Sequence, residues 1–184
     1  MAEPRAILSV DIVYNQYRGQ MKPIEVGITE VDSGCSEVHY VNPEEMLCSS
    51  ADYTINLGRQ FQVHGIPPWN AWFTGMTFHG ARAIISKKVL DYRRIHAPCH
   101  SKEIYIVVSS DKMVEDLKDI GCSVKNILNS YRLERHDVYD LFQPVVYRDA
   151  HGATHLPKFH IGCARTASKL FATLVRFLED GKCE

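Results

Sequence analysis

The sequence predicts an α/β fold on one mixed sheet, with three antiparallel strands first and parallel pairing later. Three observations carry this. Three β-rich runs follow one another across short polar connections near the N-terminus, the pattern of a meander. A helical pattern then separates them from a short apolar run, Glu103 to Ser109 (EIYIVVS), which reads as a buried parallel strand. The chain closes with an amphipathic helical pattern.

Taken in order, Ala6 to Tyr14 (AILSVDIVY) is apolar and β-branched with one acid inside it, and reads as a buried strand. Tyr17 to Pro23 is a polar turn, Ile24 to Val31 a second strand, Asp32 to Ser36 a turn and Glu37 to Asn42 a third strand. Pro43 to Pro68 reads as irregular. Ala71 to Arg93 carries Ala81, Ile84, Ile85, Val89 and Tyr92 near helical spacing. After the lone strand, Asp111 is the expected N-cap of a helix over Lys112 to Ile120 that Gly121 ends. Val124 to Leu133 reads as a short helix, Asp137 to Phe142 as a helix or turn, and Arg148 to Gly162 as a loop. Cys163 to Leu178 places Ala167, Leu170, Leu174, Phe177 and Leu178 on one helical face. No repeat or linker divides the 184 residues, so one domain is expected.

Bulk composition narrows the function classes. A net charge of −1 argues against a general electrostatic grip on nucleic acid and leaves room for a local basic patch. The sequence has no apolar run of the ~18 residues a membrane helix needs, and no membrane contact is expected. The cysteines (Cys35, Cys48, Cys99, Cys122, Cys163, Cys183) are scattered without a CxxC, so thiols or a metal ligand are expected in an intracellular protein.

The order β-β-β-α-β-α and a closing helix is that of the ribonuclease-H-like fold. Asp11 in the first strand, Asn42-Pro43-Glu44-Glu45, Val63-His64-Gly65-Ile66 and the final helix resemble 3′–5′ exonucleases of the DEDDh group. Those enzymes hold two divalent cations with clustered carboxylates. Their Asp-x-Glu is Asp11-Ile12-Val13 here, the middle acidic position falls near Met113 or Val114, and the final acid falls near Cys163. Asp111 and Asp140 read as an N-cap and a solvated turn residue. A two-metal site is therefore not expected.

A second resemblance covers nearly the whole chain. Glu25-Val26-Gly27, His39 followed by Asn42-Pro43, His64-Gly65-Ile66-Pro67, the segment Ile104 to Gly121, and His155 followed eight residues on by Cys163-Ala164 are similar to the Maelstrom domain. That family belongs to the germline small-RNA (piRNA) pathway. The resemblance implies a structural zinc ion held by Glu25, His151, His155 and Cys163. The spacing of the first histidine departs from the family's common pattern, and His160 competes with His151. Zinc accepts imidazole, thiolate and carboxylate together, and four protein ligands leave no open position. The resemblance further implies binding of single-stranded RNA, contacts with piRNA-pathway proteins, and residence in the perinuclear germ granules of the cytoplasm and in the nucleus. A monomer is expected.

Lys87, Lys88, Arg93 and Arg94, with Arg82 and His96 nearby, form the first basic stretch and the candidate RNA contact. Arg132, Arg135, Arg148 and Arg165 are a weaker set. Trp72, Phe73 and Trp69 read as core, and His39 as a satisfied sheet residue. Three functions remain: a catalytically degenerate domain that binds RNA or proteins in transposon silencing, a single-stranded RNA endonuclease that does not use the carboxylates, and a protein-interaction module. No pair of residues identifies itself as catalytic.

Overall fold

The computed structural model describes residues 4–43, 49–60, 75–96, 103–141 and 163–181. Strands β1 (Arg5–Tyr17), β2 (Gln20–Glu30) and β3 (Ser36–Asn42) form an antiparallel meander. Helix α1 (Ser50–Arg59), strand β4 (Met76–Thr77), helix α2 (Phe78–His96), strand β5 (Ile104–Val108) and helix α3 (Asp111–Asp116) follow. Strand β6 (Ser123–Asn126) and helices α4 (Ile127–Tyr131), α5 (Arg135–Leu141) and α6 (Ala164–Asp180) complete the described chain. The sheet order is β4-β3-β2-β1-β5-β6, with β5 parallel to β1, β6 parallel to β5 and β4 parallel to β3. The expected α/β class with a mixed sheet is what forms.

The β1–β2 hairpin is longer than its apolar pattern. Arg18 and Gly19 have φ of 50° and 73°, the two positive values of a type I′ turn, so the strands pair up to Tyr17 and Gln20. The predicted turn over Tyr17 to Pro23 is thus two residues, and the polar segment after it is strand. Pro23 is tolerated because it sits opposite Tyr14, where the register shifts.

Helix α1 falls inside the segment expected to be irregular. It has no apolar stripe to betray it. Its inward side is Asp52, Asn56 and Arg59, at the i, i+4, i+7 spacing of one helical face. β5 pairs with β1 only between Arg5 and Ser9, so the later half of that β1 edge needs other partners. Asn56 supplies them as a strand would. Its Oδ1 accepts from the Gln16 N–H at 2.6 Å and its Nδ2 donates to the Gln16 carbonyl at 2.7 Å. Arg59 Nε donates to the Tyr14 carbonyl at 2.8 Å, and Asp52 accepts from the Arg18 and Gly19 N–H groups at 2.9 and 3.0 Å. The start of α1 is a capping box of Ser49 and Asp52.

Two apolar layers cover the sheet. Leu8, Val10, Ile12, Val26 and Ile28 pack with Ala81, Ile85 and Val89 of α2, Met113 of α3 and Leu117 at its C-cap. Val31 and Val107 pack under α4, α5 and α6, with Phe171, Leu170 and Leu174 fully or nearly fully buried. In α6 the buried stripe is Ala167, Leu170, Phe171, Leu174 and Val175, and Phe177 is 69% exposed, displaced from the predicted face. The predicted helix over Val124 to Leu133 begins as the half-exposed edge strand β6, because Ser-Val-Lys-Asn has only one apolar residue to signal it. Ser110 and not Asp111 caps α3. Asp111 instead accepts from the Asn126 and Asn129 amides, each at 2.9 Å.

Asn56→Ala is expected to cost about 2–4 kcal/mol in urea denaturation, because it strands a backbone donor and acceptor of β1 that each need a partner. Hydrogen bonds from Ser49, Gln16 and Gly19 hold the Asp52 carboxyl well below the usual aspartate range. A depressed folded-state value means that the carboxylate's contribution is full above the unfolded value, near pH 4, and fades as pH falls below it. The stability gap between wild type and Asp52→Asn should therefore narrow between pH 5 and pH 2; a constant gap would show that the charge of Asp52 plays no part.

Candidate functional site

The sheet face beneath α6 is polar where a core face is usually apolar. Ser9, Asp11 and Asn15 on β1 and Glu25 and Thr29 on β2 are all at most 1% exposed. Asp11 lies opposite Gly27, and Glu25 is two residues along the same strand. The two carboxylates therefore share one face on a diagonal, roughly 7 Å apart at Cβ by strand geometry.

Asp11 is closed by an arginine. Arg135 of α5 donates from Nη1 to Oδ1 at 3.3 Å and from Nη2 to Oδ2 at 3.2 Å. Ser109, just after β5, donates to Asp11 Oδ1 at 2.7 Å and accepts from Arg135 Nη1 at 2.7 Å. Arg135 Nη2 also reaches the Tyr139 hydroxyl at 3.1 Å, and the guanidinium lies 5.5 Å from the ring centres of both Tyr139 and Phe171. Burial works against the charge on Arg135, but Asp11 and Tyr139 outweigh it and the guanidinium is held charged. Burial also raises the Tyr139 hydroxyl, so it stays protonated. The Asp11 side chain is 1% exposed and that of Arg135 38%, so the pair is sealed on the carboxylate side and touches solvent on the other.

The neighbouring positions repeat the point. Val13, where the exonuclease pattern has its second carboxylate, is 5% exposed and packs with Tyr17, Ile24 and Ala164. Met113 is buried in the α2 layer. Asp140 is exposed on α5.

Glu25 and Cys163 meet at the start of α6. Glu25 Oε1 accepts from the N–H of Ala164, the first helical residue, at 2.8 Å. This meets one of the donors that a helix start leaves over and places negative charge at the positive end of the dipole. Cys163 is the N-cap residue, 1% exposed, and its side chain makes no capping bond. Gly27 permits the approach. A Cβ there would lie 2.1 Å from the Ala164 oxygen and 2.5 Å from the Arg165 nitrogen, distances that no side chain tolerates. Farther along, Thr29 Oγ1 and Ser168 Oγ are 2.8 Å apart, and Arg165 Nε donates to Ser36 Oγ at 3.1 Å. The Glu-x-Gly of β2 and the Cys-Ala of α6 are thus one contact.

His151, His155 and His160 lie outside the described residues, as do Arg148, Trp69, Trp72 and Phe73. Among the described residues no group of three or more His, Cys, Asp or Glu side chains is placed to hold a metal. The four predicted RNA contacts do not share one face of α2. Lys87 pairs with Asp91, and Arg94 lies near the same carboxylate on the exposed side. Arg93 donates to the Gly121 carbonyl at 3.2 Å. Lys88 turns to the sheet, with Glu30 at 3.3 Å and Glu37 at 3.5 Å. Arg82 is held by the carbonyls of Asp116 and Lys118, and His96 stacks on Tyr92 at 4.2 Å. His39 lies 3.3 Å from Glu37 on β3.

Sequence reasoning missed the partner of Asp11. Arg135 is 124 residues away and stood in the weaker set of candidate RNA contacts. No local pattern marks such a pair. Ser49-x-x-Asp52 did carry a usable signal for α1, the capping-box spacing.

Arg135→Met should cost about 2–3 kcal/mol in urea denaturation, since it leaves a buried carboxylate with one hydrogen bond. Adding Asp11→Asn should recover a large part of that loss, and strictly additive effects would mean that the two side chains do not depend on each other. No family model matches this chain, and no curated protein or solved structure matches it.

Proposed function

We propose that this chain is a ribonuclease-H-like domain of the Maelstrom type, without exonuclease chemistry, that binds single-stranded RNA or proteins in germline piRNA-mediated transposon silencing. The observation that carries the reading is the closed state of Asp11. Two-metal hydrolysis needs carboxylates open to cations, whereas Asp11 is occupied by Arg135 and Ser109 and its in-face neighbour is Val13. The strand order β3-β2-β1-β5-β6, with the first three antiparallel and the last two parallel to β1, supports the fold assignment.

Two of the four donors of a structural zinc ion, Glu25 and Cys163, stand at the start of α6, and the histidines lie outside the described residues. A carboxylate from β2 and a buried cysteine converge there, and a helix N-terminus favours thiolate. Glu25 and Cys163 would hold the ion together with His155 and either His151 or His160. Bound there, zinc would supply cohesion between the sheet and α6, with no open position for a substrate. On the other face of the sheet, Lys87, Arg93 and Arg94 offer phosphate contacts from the exposed side of α2, and Lys88 serves chiefly to join α2 to β2 and β3.

The test incubates the purified chain with labelled single-stranded RNA, with EDTA and with magnesium in parallel. A mobility shift without cutting is expected. Magnesium-dependent trimming from the 3′ end would overturn the reading, EDTA-resistant internal cuts would move it to an endonuclease, and no shift at all would leave a protein-interaction module. In the same preparation Cys163→Ala should lower the melting temperature and remove about one equivalent of zinc, because ligand loss is also loss of folding energy. Cys35→Ala, at an exposed turn, should change neither.

A further inference from the structure

A cleft of about 400 Å³ lies between α4, α6 and the β5–β6 edge, on the sheet face opposite α2. Among the described residues its lining is Val107, Ile127 and Val175 below, with Tyr105, Tyr131 and Lys125 at the sides. Ser130 and Pro4 complete the rim. Its size is that of a small-ligand site, and α6 leaves it open because that helix packs chiefly on β1 and β2. We propose that this cleft is a base-stacking subsite for single-stranded RNA, with Tyr131 as the stacking ring and Lys125 as the phosphate contact.

Each part of the lining favours a nucleotide. Tyr131 lines the cleft from a short helix and is 37% exposed, and an aromatic side chain in that position can stack on a planar ligand. The Lys125 ammonium sits 4.1 Å from the centre of the Tyr105 ring. It has no carboxylate partner among the described residues, unlike Lys87, Lys88 and Lys112. Tyr105 itself is fixed, since its hydroxyl donates to Glu179 Oε1 at 3.4 Å. That same oxygen accepts from the Ala6 N–H at 3.3 Å, so Glu179 is already engaged. Ser130 Oγ donates to the Asn126 carbonyl at 3.0 Å and keeps its oxygen free to accept from a base or a ribose hydroxyl. An apolar floor, an aromatic wall and a cation without a carboxylate partner among the described residues match a flat base carrying one phosphate better than they match a peptide side chain.

The position also extends the proposed footprint. Arg93 of α2 rests on Gly121, and the chain from Gly121 runs through β6 to Lys125. A strand leaving the exposed side of α2 would cross the β6 edge and enter the cleft. The inference rests on the RNA-binding reading above and adds a second surface to it.

The test uses the full chain and a single-stranded RNA oligomer carrying 4-thiouridine, read by fluorescence anisotropy and by mapping the photo-cross-links. Tyr131→Ala should weaken binding roughly tenfold, the effect of losing one stacked base. Tyr131→Phe keeps the ring and should stay within about twofold of wild type. Lys125→Ala should weaken binding and lower the slope of log affinity against log salt by about one. Wild-type cross-links should fall within Ser123 to Tyr131, a readout that stands even where a variant folds poorly. RNA binding with all cross-links elsewhere and unchanged affinity in the three variants would overturn the subsite while leaving the RNA reading intact. That result is also the one expected of a cleft made for an aromatic side chain of a protein. A wild-type chain that binds no RNA would overturn both.

Discussion

The structure is organised by a polar strip on the sheet, beneath the helix that should be its apolar cover. Ser9, Asp11, Asn15, Glu25 and Thr29 are withdrawn from water, where a polar group calls for a partner, and Asp11, Glu25 and Thr29 find theirs on neighbouring elements. Those pairings place the surrounding elements. Asp11 draws in α5 through Arg135 and fixes the end of β5 through Ser109. Glu25 receives the first N–H of α6, and Thr29 meets Ser168 one turn further on. Gly27 lets the helix come close enough for both. α6 is thus oriented by hydrogen bonds at its start and by Leu170, Phe171 and Leu174 along its length.

The same requirement shapes the other border of β1. Where β5 stops, the strand would expose unpaired backbone groups, and α1 meets them with Asp52, Asn56 and Arg59. Both arrangements spend chemistry-bearing side chains on cohesion. A carboxylate that already holds a guanidinium in two hydrogen bonds has little left to offer a hard cation, which seeks several oxygen ligands at once. Function is therefore sought away from the Asp11 pair: at the exposed side of α2, the start of α6 and the cleft beside Tyr131.

What was legible in the sequence follows from where each signal resides. The meander, β5 and α6 rest on local apolar periodicity and were visible. The close relation of Glu25-x-Gly27 to Cys163-Ala164 was legible only through a family resemblance, since nothing local links β2 to a helix so far along the chain. α1 was missed because its buried side is polar, and periodicity reports only apolar sides. β6 was missed because an edge strand of four residues carries too few side chains to alternate. Lys88 was grouped with Lys87 because adjacency in sequence conceals that neighbouring residues on a helix point about 100° apart. The Asp11 and Arg135 pair depends on tertiary packing alone, and no composition or spacing announces it.

The central claim is that Asp11 is the anchor of an internal ion pair and not the ligand of a catalytic cation. Manganese binding to the purified chain, followed by the loss of the free-ion electron paramagnetic resonance signal, tests this most directly. The account predicts no saturable site that depends on Asp11, so wild type and Asp11→Asn should give the same titration. A tight manganese site present in wild type and lost in Asp11→Asn would contradict it.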